Sequence, residues 1–378
     1  MRRLFSISVL FLISILLFSS CSSSKKFVLK KEIDVNNTKN TNATLHPPIQ
    51  VEEIADIDDV GYRSSGFIDD GIMYVGNLDG DVYAIDLNKK TKTRIIHLKN
   101  EAIEVAPYVK GSYLYIGTNK GNLYKINYEE KKIEKKLSLN APIMNKIYFK
   151  NDTLYVICED DTINAVDKDS LELVWRYSNG TPSILDIRST AGILFLDDGM
   201  YSGFSDGSIS KISYYGERMW YEQVGDGNMF IDADSTPKGN SKIFVSSVNG
   251  YTEALDITDG SVLWKRKIST YANMEENIYG LFIADENGQI IALDNDNGET
   301  MWNKKVSAED NVYAIKLIGN CIYAVTRDGV LVVLDALKGK IMDIKELSGV
   351  FSGRFMFDGS KLYLISRDGT VYSISSKK

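Results

Sequence analysis

Proline is scarce in this chain, six in 378 residues, and cysteine (three) and histidine (two) are scarcer still. So little proline beside 22 tyrosines points to strands and against an unfolded chain. Three cysteines cannot build a disulfide framework. The two histidines, His46 and His97, are far apart in sequence and give no basis for a histidine-based metal site. Cationic excess is also missing: 44 Lys and Arg stand against 51 Asp and Glu, a net charge of −7. Without surplus cations to neutralise phosphates, nucleic acid is not an expected partner. The remaining composition, 44% hydrophobic and 25% charged, is that of a globular protein long enough for two domains or one large one.

The chain opens "MRRLFSISVLFLISILLFSSC". Arg2 and Arg3 form a basic start, Leu4 to Phe18 an apolar run, and Ser19-Ser20 a small-residue site. Residues 1–20 therefore read as an export signal, too short and wrongly flanked for a membrane-spanning helix. Cys21 follows at once. The arrangement resembles a bacterial lipobox, in which the cysteine is acylated, although Phe18 stands where that motif usually has leucine. A plainly cleaved signal and an uncleaved anchor are the alternatives. Each buried methylene contributes about 0.8 kcal/mol, so several acyl chains hold a protein at a bilayer where one does not. In the best-known sorting rule an aspartate after the cysteine means retention in the inner membrane; Ser22 resembles an outer-membrane address. Loss of Arg2 and Arg3 takes the mature chain from −7 to −9. Residues 21–48 are polar, rich in Asn, Thr, Lys and Ser, and read as a tether. Cys158 and Cys321 read as small buried hydrophobes.

From residue 49 one pattern recurs. "IFVSSVNGYTEALDITDGSVLW", Ile243 to Trp264, holds two turn dipeptides, Asn249-Gly250 and Asp259-Gly260, and ends in tryptophan. The aromatic Phe244 has equivalents at Tyr74, Tyr115, Tyr155, Tyr201, Phe282, Tyr323 and Tyr363, spaced by 38 to 46 residues. Six residues after each comes a turn: Gly80, Gly121, Asp161, Gly207, Gly250, Gly288, Gly329 and Gly369. Asp161 is the single departure, and aspartate tolerates the left-handed region better than most residues. Eleven residues after each aromatic comes an aliphatic, from Ile85 to Ile374. A period near 40 with four short strands per unit is the signature of a β-propeller.

The expected fold is therefore all-β: one eight-bladed β-propeller of four-stranded antiparallel blades over residues 49–378. The eighth copy ends without an outer strand, and "IQVEEIADI", Ile49–Ile57, precedes the first copy's inner strand around Gly66–Asp69. Val51–Ile57 is expected to complete the last blade, because an open ring leaves unpaired sheet surfaces. Trp175, Trp220, Trp264 and Trp302 occupy equivalent places and are expected to pack between blades rather than to stack on a ligand.

The order aromatic, Asp-Gly, Ala-Leu-Asp, Gly, Trp, best seen in "LFIADENGQIIALDNDNGETMW" (Leu281–Trp302), resembles the repeat of quinoprotein-like propellers. The paired signatures of WD40 and kelch repeats are missing. One implied function is a quinone-cofactor (PQQ-dependent) dehydrogenase with a calcium site. The chain has no Cys-Cys pair, its tryptophans fall at repetitive structural positions, and its Asp residues lie at turns. The reading here is accordingly no enzyme, no cofactor and no metal. The other implied family is BamB, the propeller lipoprotein of the outer-membrane β-barrel assembly (BAM) machinery. Three stretches resemble it beyond the repeat: "SRDGTVYSIS" (Ser366–Ser375), "PSILDIRSTAG" (Pro182–Gly192) and "DADSTP" (Asp232–Pro237). The second carries one more residue than the family's Pro-Ser-Leu-x-Leu-Arg.

That resemblance implies a periplasmic-facing, outer-membrane scaffold that docks a POTRA domain of the barrel-inserting BamA-like subunit and assists outer-membrane protein insertion. Carried over by motif, the docking residues are Leu185, Ile187, Arg188, Asp232 and Asp234, with Cys21 the lipidated residue. The two longest spacings, 46 and 43, contain these loops, and extra loop length on one face of a ring commonly carries binding residues. Arg188 has a second reading, an ion pair with Asp232 or Asp234 within the propeller. Nascent outer-membrane proteins are a further implied partner, received by pairing at the outer strands. A surface-exposed ligand-binding propeller with the same anchor is the alternative function.

Overall fold

All eight repeat aromatics are buried, and each pairs in the same register with the residue ten positions later, as Phe282 with Ala292 and Tyr323 with Val333. A computed structural model of the chain describes residues 45–62, 64–143, 145–180, 191–225, 236–247, 250–270, 272–308 and 311–377. Among them there are strands and no helix. Blade 1 shows the unit: Phe67–Asp69 innermost, then Ile72–Gly76, Asp81–Asp86 and Thr91–His97 outermost, each antiparallel to the last. Blades 2, 3, 4, 6 and 7 repeat it over 108–138, 148–178, 194–223, 275–305 and 312–346. Blade 5 has three strands, Lys242–Ser246, Thr252–Asp256 and Val262–Arg266. Its innermost position is reduced to a bridge between Lys238 and Phe244, so the fourth strand expected there shrinks to one residue pair.

The eighth blade is assembled from both ends of the ring, in the order Ile49–Asp56, Thr370–Ser376, Leu362–Ile365, Met356–Phe357. The closing strand starts two residues earlier than Val51, with Ile49 opposite Ser376 and Asp56 opposite Thr370. The middle strands are buried on both faces, which is why the sequence offers apolar runs such as Leu331–Leu334 rather than a clean alternation. Each sheet packs on the next through its own apolar cluster. There are eight such clusters among the described residues, one at every junction of successive blades, and the one containing Val75, Ile85, Ile365 and Val371 joins blade 8 to blade 1. The core is thus a circle of layers, and it closes.

The tryptophans lie within outer strands and bind the neighbouring blade. Trp175 Nε1 donates to the Tyr214 carbonyl (3.1 Å), Trp220 to Ile257 (3.2 Å), Trp264 to Asn295 (3.0 Å) and Trp302 to Ala336 (3.0 Å). Each acceptor lies in the last hairpin turn of the next blade, and a glycine of that same turn (Gly216, Gly260, Gly298, Gly339) lies under the indole. The glycine of the sequence pattern therefore serves the tryptophan of the preceding copy, not its own. Burial of one such ring stabilises by roughly 4–6 kcal/mol before entropy is counted. Blade 2 reaches blade 3 differently, with Lys125 and Lys135 donating to the Asp169 and Ser170 carbonyls at 3.3 and 3.0 Å.

At the seal the chemistry changes again. Asp343 pairs with Val333 as Trp302 pairs with Ala292, so it takes the tryptophan's place in blade 7. It accepts the Ile49 N–H at 2.7 Å, fixing the first residue of the closing strand. Burial pushes the Asp343 carboxyl up, but the bonds from Ile49 N–H, Lys345 and Ile344 N–H outweigh it and hold the group below the usual carboxylate range. Cys158 and Cys321 are buried and unbridged, each thiol pushed up to about 12, chiefly by burial. They behave as small core residues.

Candidate functional site

In each blade the turn between the two middle strands and the link to the next blade lie at the same end of the ring. The carbonyls of Gly80, Gly121, Gly207, Gly288 and Gly329 accept N–H bonds from the link that follows their own blade. Asp161, the exceptional turn residue, does adopt the left-handed region at φ 57°. Its carboxylate accepts the Ser205 N–H of blade 4 at 3.0 Å, a contact that glycine could not make.

Two links on this end are long. Fifteen residues (179–193) join blades 3 and 4, and 18 (224–241) separate the last strand of blade 4 from the first of blade 5, against 6 to 10 at the other links. They carry the motifs singled out above. Leu185, Ile187, Arg188, Asp232 and Asp234 lie outside the described residues, as does Cys21. The described roots of the two links meet. Gly192 N–H donates to Thr236 Oγ1 at 3.0 Å, and the Ala191 carbonyl accepts from Asn145 Nδ2 at 3.0 Å. A Cβ on Gly192 would stand 2.0 Å from the Tyr148 hydroxyl oxygen and 2.7 Å from Thr236 Oγ1, so glycine is required for this approach. The last residues of both motifs, Gly192 and Thr236-Pro237, are therefore one structural unit.

That unit forms part of the wall of the axial channel, a feature sequence reasoning missed. A cavity of about 260 Å³ is lined by Thr236, Pro237 and Ile193 together with charged residues from blades around the ring. The innermost residue opposite each repeat aromatic is Phe67, Tyr108, Tyr148, Leu194, Lys238, Glu275, Lys316 and Met356 in turn. Lys146 and Arg354 lie two residues before Tyr148 and Met356. One arc of the channel is thus aromatic, with Phe67, Tyr108 and Phe149 in edge-on and stacked contact at 5.0 and 5.3 Å. The opposite arc is charged. The signal was present in the sequence as the residue seven before each marker (six in blade 5), together with residues nine before it such as Lys146 and Arg354, a row that the reading of turns and aliphatics passed over.

Lys316 Nζ is 3.2 Å from Glu275 Oε1. Lys146 extends into the channel, open to solvent at its tip but walled by protein at longer range, with its ammonium 5.0 Å from the Tyr148 ring centroid. Burial, followed by repulsion from Arg354, Lys238 and Lys316, holds it down at about 8 against an ordinary 10.5. Lys238 is lowered mainly by burial, with Glu275 and Glu276 opposing and Lys316 and Arg354 reinforcing. Burial raises the Glu276 carboxyl, and Lys238 partly offsets this. His97 Nδ1 lies 3.1 Å from Asp81, and His46 lies at the seal beside Ser376. No group of three metal-ligating side chains occurs among the described residues.

Repeat, closure and tryptophan ladder define an eight-bladed, quinoprotein-like β-propeller. The chain belongs, within that class, to the family described as outer membrane protein assembly factor BamB, which it matches over residues 78–304 and 279–366. It is 22% identical over 205 residues to the BamB of Legionella pneumophila (strain Paris), covering 52% of this chain and 53% of that one. It is 24% identical over 166 residues to the BamB of Shewanella oneidensis, covering 42% of each. The matched segments thus span about half the length of these curated relatives. The crystal structure of BamB from Moraxella catarrhalis shares the fold with a TM-score of 0.74 at 20% identity, over 86% of this chain and all of that one. Quinohemoprotein alcohol dehydrogenase from Comamonas testosteroni shares it with a TM-score of 0.68 at 14% identity, over 87% of this chain and 76% of that one.

Proposed function

We propose that this chain is a non-enzymatic scaffold of outer-membrane β-barrel assembly, which docks a POTRA domain of the BamA-like subunit through the loops between blades 3, 4 and 5. The family match carries the reading, and the joined roots at Gly192 and Thr236 support it. Two loops fixed to each other at the base can present Leu185, Ile187 and Arg188 beside Asp232 and Asp234 as one surface. Two aliphatics next to an arginine suit the centre of an interface. Cys21 is the proposed lipid attachment. The 24 residues from there to Leu45, the first described residue and a buried one, extend at most roughly 80 Å, enough to hold the ring beside an outer-membrane partner.

The Arg188→Glu variant tests the docking surface. Co-purification of the barrel-inserting partner from detergent-solubilised envelope should fall at least tenfold, as expected for reversal of a charge at an interface centre. Thermal unfolding should stay within about 1 °C of the parent, since a surface ion pair contributes about 0–1 kcal/mol. Unchanged co-purification would remove Arg188 from the interface, and a much lower melting temperature would make it a structural residue.

A second contact surface follows from the outer rim. Blades 3 to 6 each place an apolar residue at a bulge just before the tryptophan: Val174 (60% exposed), Met219 (55%), Leu263 (49%) and Met301 (44%). Bulges interrupt the row of backbone donors and acceptors and oppose strand addition. We therefore assign contact with client segments to these side chains and not to edge pairing. The double substitution Val174→Lys, Leu263→Lys should slow insertion of an outer-membrane client about tenfold in a reconstituted assay, while partner co-purification is retained. Equal insertion rates would remove this rim from the mechanism.

A further inference from the structure

The axial channel gathers four cations from four blades: Lys146 of blade 3, Lys238 of blade 5, Lys316 of blade 7 and Arg354 of blade 8. Among the described residues one carboxylate lines the cavity with them, Glu275 of blade 6, and it is engaged with Lys316; Glu276, next to it in the same strand, lies outside the lining and acts on Lys238 through space. Glu275 answers Lys316, and Arg354 is engaged with protein partners of its own, so Lys146 and Lys238 bring two further positive charges to a cavity of about 260 Å³, inside a chain whose own balance is −7. This concentration is opposed by electrostatics. Among the described residues every charge that acts appreciably on Lys146 is positive, and Lys146 and Lys238 each give up part of their hydration to stand there. Like charges held together at a narrow, protein-walled site stabilise a ligand of the opposite sign, because field lines are focused where water is thin. Fold maintenance does not explain the set. The tryptophan ladder, the apolar clusters and the seal use none of these four side chains.

We propose that the axial channel binds a small oxyanion carrying about two negative charges, of the phosphate or polycarboxylate class, held by Lys146 and Lys238, with Lys316 and Arg354 shared between the ligand and their protein partners. The cavity volume suits an anion of a few to a dozen heavy atoms rather than a drug-sized molecule. Arg354 supplies a planar fork for two oxygens, and the lysines supply point charges that adjust to the ligand's shape. The proposal does not depend on the proposed scaffold role. The cavity does reach the root of the second docking loop, since Thr236 and Pro237 line it and follow Asp232 and Asp234 in sequence. A bound anion would stiffen the wall from which that loop rises.

The experiment is calorimetric titration of the mature chain with inorganic phosphate, pyrophosphate and citrate at matched ionic strength, using chloride as the reference. Saturable one-to-one binding and a rising melting temperature are expected. Stronger binding of phosphate and pyrophosphate than of citrate would place the ligand in the phosphate class, and the reverse order in the polycarboxylate class; either supports the site. Lys146→Gln should weaken binding about tenfold, as expected for loss of one charge-assisted bond. Glu276→Gln should tighten it several-fold, a direction that damage to the fold cannot produce. Lys89→Gln, at an exposed surface lysine, should change nothing. Affinity of the parent should also fall as pH rises through about 8, where Lys146 loses its proton, and this fall should be absent in Lys146→Gln. No saturable binding of any of the three anions, or binding indifferent to both Lys146→Gln and Glu276→Gln, would overturn the proposal.

Discussion

A mature chain lacking residues 45–57 should fail to fold into a cooperative, soluble monomer. The deletion removes the outer strand of blade 8 and, besides Pro47, four buried aliphatic side chains, Leu45, Ile49, Ile54 and Ile57. At about 1.5–3 kcal/mol each, their loss comes to roughly 6–12 kcal/mol. That is comparable to the whole stability of a typical domain, about 5–15 kcal/mol. The new edge at Thr370–Ser376 would also present unpaired backbone groups, and aggregation should follow. Circular dichroism melts and size-exclusion chromatography check this. A permuted chain supplies the control. Lys377 N–H donates to the Pro48 carbonyl at 2.7 Å, so a short Asn-Gly turn can join the C-terminus to Leu45, with the new N-terminus near Asp58. That permutant should fold, because the seal needs the strand and not its place in the sequence. If the deleted chain melted cooperatively near the parent temperature, closure would not be what holds the ring. Acid should loosen the same seam. The Asp343 carboxyl is depressed on folding, so its contribution is complete above the ordinary value of 3.8 and is lost as pH falls through the lower folded value.

The second large effect is expected at Gly298. A Cβ there would stand 2.6 Å from Cε3 of Trp264 and 2.7 Å from Cδ2, and the backbone is left-handed at φ +70°. Gly298→Ala must push Trp264 off its seat or bend the turn that accepts the indole N–H. The expected loss approaches that of Trp264→Ala, about 3–5 kcal/mol, or roughly 4–7 °C in melting temperature for a ring of this size. Gly111→Ala separates the two components. Gly111 is also left-handed, at φ +58°, but a Cβ there meets nothing within 4 Å. Backbone strain alone is about 1–2 kcal/mol. Equal melting temperatures for the two variants would show that the indole contact contributes little and that strain is the whole effect. Gly339, under Trp302 with a closest approach of 2.5 Å, should repeat the Gly298 result at the next junction.

The repeat frame was legible because strand and turn preferences are local. Tyr74, Gly80 and Ile85 announce an inward aromatic, a left-handed turn and an inward aliphatic within a dozen residues, and eight copies make the ring inescapable. Closure was legible for a different reason. Ile49–Ile57 is a strand without a partner in its own copy, and the last copy lacks one. Its first residue was misjudged because the anchor that fixes it, the Asp343 carboxylate, is 294 residues away and takes a place where other blades use tryptophan. Blade 5 fell short of four strands for an equally local reason: Lys238 stands six residues before Phe244 where the other blades have seven, and Gly239, at φ +120°, turns the chain immediately after the bridge.

Sequence by itself determined the number of blades, their internal register, the ring's closure and the tryptophan row, all of which follow from a repeat of about 40 residues with turns at fixed places within it. Tertiary structure decided what lies on the axis. Lys146 and Arg354 are 208 positions apart, and neither has a companion in its own blade that would mark it. They converge only because a closed ring sets the same position of every repeat at the same small radius, where charges far apart along the chain repel or attract one another at short range. The meeting of Gly192 with Thr236 is of the same kind: each loop is visible alone, but only adjacent blades bring their roots within hydrogen-bonding distance.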